Sequence, residues 1–178
     1  MTESTPIIYG VDNGIATITL NRPDTHNAMN EPLMFGITAC INRVRDDDSE
    51  RVVELTEAGR GFCAGADLAA VADSTPQPGS EGGEDTFNDA IRAIDACPVP
   101  TIARINGAAA GGGFGLALAC DITVAAESAF FVATFSPRLG IVPDMGVTWN
   151  LPRRVGRARA LGITLLGERI SACLLYTS

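Results

Sequence analysis

The segment Asn106-Gly107-Ala108-Ala109-Ala110-Gly111-Gly112-Gly113-Phe114-Gly115 lies between an extended run, Thr101–Ile105, and an apolar helical run, Phe114–Cys120. Residues this small at a strand-to-helix turn let a ligand or another backbone approach closely. The helix that follows offers unpaired N–H donors and a partial positive charge. A second turn of the same kind, Gly59-Arg60-Gly61-Phe62-Cys63-Ala64-Gly65-Ala66-Asp67-Leu68, follows the run Arg51–Thr56. A chain with two such turns is held to an architecture of strand, turn and helix in alternation.

The rest of the chain keeps that rhythm. Ile7–Val11 and Ile15–Leu20 are β-rich runs joined by Asp12-Asn13-Gly14, a hairpin signal. Leu33, Ile37, Ile41 and Val44 recur at helical spacing within Pro32–Arg45, which ends in the solvated run Asp46-Asp47-Asp48. Thr75–Asp85 reads as a mobile Pro/Gly/acidic loop inside the domain, and Thr86–Ala96 as a short amphipathic helix stopped by Pro98. Ile122–Ala125 and Phe130–Ala133 are strands, and Arg157–Leu166 is a helix capped by Gly167. The fold class is therefore α/β, with largely parallel strands and right-handed crossovers.

Composition removes several kinds of chemistry. Of the 178 residues, all 13 basic ones are arginine, so Schiff-base chemistry and a Walker A phosphate loop are excluded. His26 is the single histidine, so histidine-clustered metal sites are excluded and no metal is expected. A net charge of −8 argues against a nucleic-acid groove. The five cysteines are scattered, without a C-x-x-C pair, and read as reduced thiols of a cytoplasmic protein. Neither a signal peptide nor a run long enough to cross a bilayer is visible.

The glycine-rich turns do not form a dinucleotide fingerprint. Counting G-x-G-x-x-G from Gly111 or Gly113, the third glycine falls on Leu116 or Leu118. Each turn could be a ligand-free packing device. Alternatively, each supplies one backbone N–H to a shared carbonyl oxygen, which makes an oxyanion hole.

Four ordered segments, LNRPDTHNAMN (20–30), GRGFCAGADL (59–68), INGAAAGGGFGLALACD (105–121) and LGIVPDMGVTWNLPRRVGRARALGITLLGE (139–168), carry a resemblance. Together they resemble the enoyl-CoA hydratase/isomerase, or crotonase, superfamily. The resemblance implies a spiral ββα core assembled as a homotrimer or hexamer, and an acyl-CoA thioester substrate. No cofactor is implied. It places the two oxyanion amides at Ala66 and Gly112, and counts Gly111 and Gly113 among the residues that bind the acyl-CoA. His26, Asn27, Ala28, Ala64, Gly65, Asp67 and Leu68 would line the coenzyme A moiety, the His26 side chain remaining a solvated loop residue.

In hydratases of this superfamily two glutamates activate a water; the matching positions here are Gly115 and Ser136. A carboxylate stands instead at Asp144, in a segment that looks most like the isomerases of phenylacetate catabolism. Those convert the ring epoxide of phenylacetyl-CoA to its oxepin form and shift double bonds in enoyl-CoA esters. One carboxylate suits an isomerase, because it can take a proton at one carbon and return it at another. Asp144 would need partial burial near Phe114 and Trp149, and capping of a helix beginning near Gly146 is its bland alternative. The other readings are an enoyl-CoA hydratase and a catalytically silent coenzyme A-binding subunit. Asp67 is expected to cap a helix, Asp121 to start a strand, and Arg153, Arg154, Arg157 and Arg159 to lie on a helix surface. Because the resemblance fades after Ser171, residues 1–172 are expected to form a core lacking its C-terminal helices, and 173–178 to be foreign to it.

Overall fold

The computed structural model describes residues 5–73 and 82–176. Strands β1 (Ile7–Asp12) and β2 (Ile15–Leu20) pair antiparallel across Asn13-Gly14. Both turn residues have positive φ, 50° and 80°, as a two-residue hairpin twisted to match its strands requires. Strands β3 (Val52–Glu57), β4 (Thr101–Ile105) and β6 (Ile122–Ala125) extend the sheet in parallel, in the order β1-β2-β3-β4-β6. Helix α1 (Glu31–Arg45) lays Leu33, Met34, Ile37, Ile41 and Val44 on the core. Its start is set by Asn30, whose side chain accepts the Leu33 N–H at 3.1 Å.

A smaller sheet gives the chain its spiral. Strands β5 (Ala108–Ala110), β7 (Phe130–Val132) and β8 (Ile170–Ser171) pair in that order. Single bridges add Cys63 beside Ala109, and Ala66 beside Met29. Each turn of the chain thus places one extended segment in the large sheet and the next in the small one, then returns through a helix. The helices are α2 (Leu68–Asp73), α3 (Gly82–Asp95), α4 (Gly112–Ala119), α5 (Val147–Val155), α6 (Arg157–Leu166) and α7 (Ala172–Tyr176). Every residue of α4 is buried, so it is the axial helix of the core, and Phe114 packs on Phe131 with ring centroids 5.4 Å apart.

Three expectations are corrected. Gly82–Asp85 belongs to α3 rather than to a loop; residues 75–81 of that expected loop lie outside the described residues. Helix α4 begins at Gly112, two residues before its apolar run, so the glycines supply the first turn. Arg154 is not a plain surface charge. Its guanidinium donates to the carbonyls of Leu118 (3.0 Å), Asp121 (3.4 Å) and Cys120, satisfying the carbonyl end of α4. Asp121 does stand at a strand start, accepting the Thr101 N–H and hydroxyl, both at 2.8 Å.

Candidate active site

The two glycine-rich turns meet at the carboxyl ends of β3 and β4. They are laced together by backbone: the Cys63 N–H donates to Ala108 O (3.1 Å), and Ala110 N–H returns to Cys63 O (2.9 Å). Small residues are demanded by this contact. A β-carbon at Gly113 would stand 2.7 Å from the Cys63 Cβ, and one at Gly107 would be 3.0 Å from the Gly61 Cα. Gly107 and Gly113 thus make room for the neighbouring turn, the packing role that the sequence left open beside ligand approach.

Ala66 and Gly112 come together. A β-carbon on Gly65, where φ is +96°, would lie 3.5 Å from the Gly112 nitrogen. Met29 spans the pair: it bridges Ala66, and its side chain lies over the Cα of Gly112. The neighbouring amides are committed. Ala64 donates to His26 O (3.0 Å), Asp67 to Met29 O (2.9 Å) and Gly111 to Val132 O (2.9 Å). The Gly65 N–H faces the Cys63 thiol. Among the described residues no acceptor takes the N–H of Ala66 or of Gly112. Ala66 is exposed, whereas Gly112 is buried at the first turn of α4, where N–H groups have no intrahelical partner.

The other expected site residues divide by what holds them. His26 and Ala64 are exposed and joined through backbone, and Leu68 is exposed at the start of α2. Asn27 is fully buried at φ 54° and acts through its side chain. It donates to Ala58 O (3.0 Å) and Gly61 O (2.8 Å), and accepts the Arg22 N–H (2.8 Å). Ala28 is buried, and its carbonyl accepts from the Arg22 guanidinium. The same guanidinium pairs with Asp67 at 2.8 Å, and Asp67 also accepts the Ala70 N–H (3.3 Å) at the start of α2. Hydrogen bonding from Arg22 holds the Asp67 carboxyl below the usual aspartate range. Arg22 was not singled out in the sequence, although its place in Leu20–Asn30 was the available signal.

Asp144 is tied to this arrangement through the next residue in the chain. Its neighbour Met145 packs on the axial helix: a β-carbon at Gly112 would be 3.2 Å from the Met145 Cγ, and one at Gly115 2.5 Å from the Met145 O. The Asp144 carboxylate caps no helix, since Gly146 precedes α5 and no side chain accepts from the first turn. Phe114 is turned into the core and Trp149 is exposed beneath the Arg153 guanidinium, which lies 3.2 Å from the ring centroid. Asp144 itself is exposed on one side. The protein on its other side still desolvates the carboxyl and pushes its pKa above the ordinary aspartate value, partly offset by its own backbone N–H.

The remaining candidates are structural. Ser136 donates to Ile141 O at 3.1 Å. Cys63 is buried and its thiol pKa is pushed up to about 12, which leaves it a packing residue. Among the described residues there is no cluster of His, Cys, Asp and Glu able to hold a metal, and no helix long and apolar enough to cross a membrane.

Comparison with known proteins agrees with this architecture. The sequence pattern of the enoyl-CoA hydratase/isomerase family matches residues 10–173. The chain is 45% identical over 169 residues to a 1,2-epoxyphenylacetyl-CoA isomerase of Escherichia coli, covering 93% of this chain and 64% of that protein. It is 43% identical over 173 residues to a probable enoyl-CoA hydratase of Rhodobacter capsulatus, with 93% and 63% covered. The chain therefore spans just under two thirds of the length of these curated relatives. The crystal structure of an enoyl-CoA hydratase from Polaromonas superposes with a TM-score of 0.89 at 35% identity, covering 96% of this chain and 67% of that one. With a crotonase-type spiral and a family pattern running through nearly all of its length, the chain belongs to the enoyl-CoA hydratase/isomerase family.

Proposed function

We propose that this chain carries the catalytic core of an acyl-CoA isomerase, with Asp144 moving the proton and the amides of Ala66 and Gly112 holding the thioester oxygen. The observation behind it is the seating of Met145 on Gly115. The position where a hydratase of the family needs its first glutamate is closed by the Met145 carbonyl, and Ser136 occupies the second. The carboxylate next to Met145 is Asp144, and among the described residues no side chain hydrogen-bonds it. Proton abstraction next to a thioester leaves the bond's electron pair as an enolate, with charge on the oxygen. Two fixed N–H donors stabilise that charge, and one such donor is worth roughly 3 kcal/mol of barrier. The same carboxyl, now protonated, returns its proton to a different carbon, so no water is consumed.

The substrate class in this proposal is a 1,2-epoxyphenylacetyl-CoA or an enoyl-CoA ester. Coenzyme A would lie along the backbone of 26–28 and 64–68, with no further cofactor. Exposed Leu139, Ile141, Val142 and Trp149 support assembly of the whole protein into a homotrimer or hexamer through this face. The test supplies the whole protein and its Asp144→Asn variant with both thioester types, and with crotonyl-CoA as the hydratase substrate. Isomerised thioester from the parent and none from the variant is expected. Hydration of crotonyl-CoA that is insensitive to Asp144→Asn overturns the assignment in favour of a hydratase. Tight acyl-CoA binding with no turnover overturns it in favour of a silent subunit.

A further inference from the structure

Glu57 is a buried carboxylate that the chemistry above does not use. It ends β3, only 8% exposed, where the first glycine-rich turn begins. Its Oε1 accepts the backbone N–H of Asn106 at 2.6 Å, and Asn106 is the first residue of the second turn. The Asn106 side chain completes the tie, donating to Gly59 O at 3.1 Å. The other carboxylate oxygen accepts from the Thr56 hydroxyl at 3.1 Å, and Arg104 on β4 is the charged group that faces it. Desolvation raises the Glu57 pKa and these partners pull it back, so a cost of burial is met by the bonds that Glu57 makes.

From Asn106 the chain has little freedom before Gly112. Ala108 and Ala110 are bonded to Cys63, and Gly111 to Val132. The Glu57–Asn106 bond sets where the second turn enters this bonded stretch, which ends at the Gly112 amide, while Ala66 lies on the first turn with Met29. We propose that Glu57 is a positioning residue: its bond to Asn106 fixes the second turn against the first, and so fixes the aim of the Gly112 amide relative to that of Ala66. This rests on the oxyanion role proposed for those two amides. Glu57 touches no reacting atom. Its effect is a matter of angle and distance at two donors, to which a transition-state oxygen is more sensitive than a ground-state carbonyl.

The test reads the thioester directly, by difference infrared spectroscopy of an unreactive acyl-CoA labelled at its thioester carbonyl. Bound to the parent chain, that carbonyl stretch moves to lower frequency, because two amides polarise it. Glu57→Leu removes the acceptor; Glu57→Asp keeps the charge but falls one methylene short of Asn106. Both are expected to lose at least half of the shift and to lower kcat about tenfold with KM nearly unchanged. Glu57→Gln, which still presents an acceptor at Oε1, restores the shift and kcat. If Glu57→Leu does not fold, Glu57→Asp carries the comparison. A full shift in Glu57→Asp or Glu57→Leu overturns the assignment while leaving the oxyanion hole intact. Absence of any shift in the parent overturns the oxyanion hole itself, and the assignment with it.

Discussion

Met145 closes the space above Gly115: a β-carbon on that glycine would stand 2.5 Å from the Met145 carbonyl oxygen and 2.6 Å from its Cβ. The axial helix and the segment bearing Asp144 therefore touch through backbone, and the position of Asp144 depends on the absence of a side chain at 115. Gly115→Ala forces the two apart. Overpacking of this kind costs about 1–3 kcal/mol. Urea denaturation is expected to show a loss in that range, and isomerisation is expected to fall further than stability alone explains. Unchanged activity would separate Asp144 from the Gly115 contact.

Burial raises the Asp144 pKa above the value the residue has in an unfolded chain. A carboxyl shifted this way contributes stability in acid that is lost as the pH rises through its folded-state pKa. At neutral pH its charge is a liability, so Asp144→Asn is expected to melt no lower than the parent at pH 7. Activity runs the other way, since the base must be ionised to take a proton. The isomerisation rate is expected to rise with pH through the raised pKa, and calorimetry beside a pH–rate profile checks both.

Asn27 ties its own loop to the first glycine-rich turn with one buried side chain, bonding to Ala58 O, Gly61 O and Arg22 N. Asn27→Ala takes this partner from the buried Gly61 carbonyl and from the half-buried Ala58 carbonyl and Arg22 N–H. The expected cost is about 2–4 kcal/mol in chemical denaturation, with retained activity below the new midpoint if coenzyme A meets this stretch through backbone alone.

Cys63 and Cys120 are both buried, with thiol pKa values pushed up to about 12, and Cys40 to about 11. Iodoacetamide at pH 8 followed by peptide mass mapping is expected to find exposed Cys173 alkylated first, and Cys63 and Cys120 only after denaturation. Early labelling of Cys63 would show that the first glycine-rich turn opens in solution.

The sequence alone determined the local elements and the kind of site. The hairpin at Asn13-Gly14, the face of α1, the limits of β4 and β6, and the αL cap at Gly167 all follow from short-range patterns. These are settled by the nearest few residues, through backbone freedom and side-chain spacing. Four ordered segments also carried the family, and with it Ala66, Gly112 and Asp144 as a proposed set. Tertiary structure decided what each small residue is for. Gly113 and Gly115 look alike in sequence, yet one receives Cys63 and the other Met145, more than twenty residues away in each case. Strands β5 and β8, too short to show a period, exist because the small sheet offers them partners. The roles of Glu57, Arg22, Asn27 and Arg154 also came from long-range contacts, since a buried polar group takes its meaning from the partner that the fold brings to it.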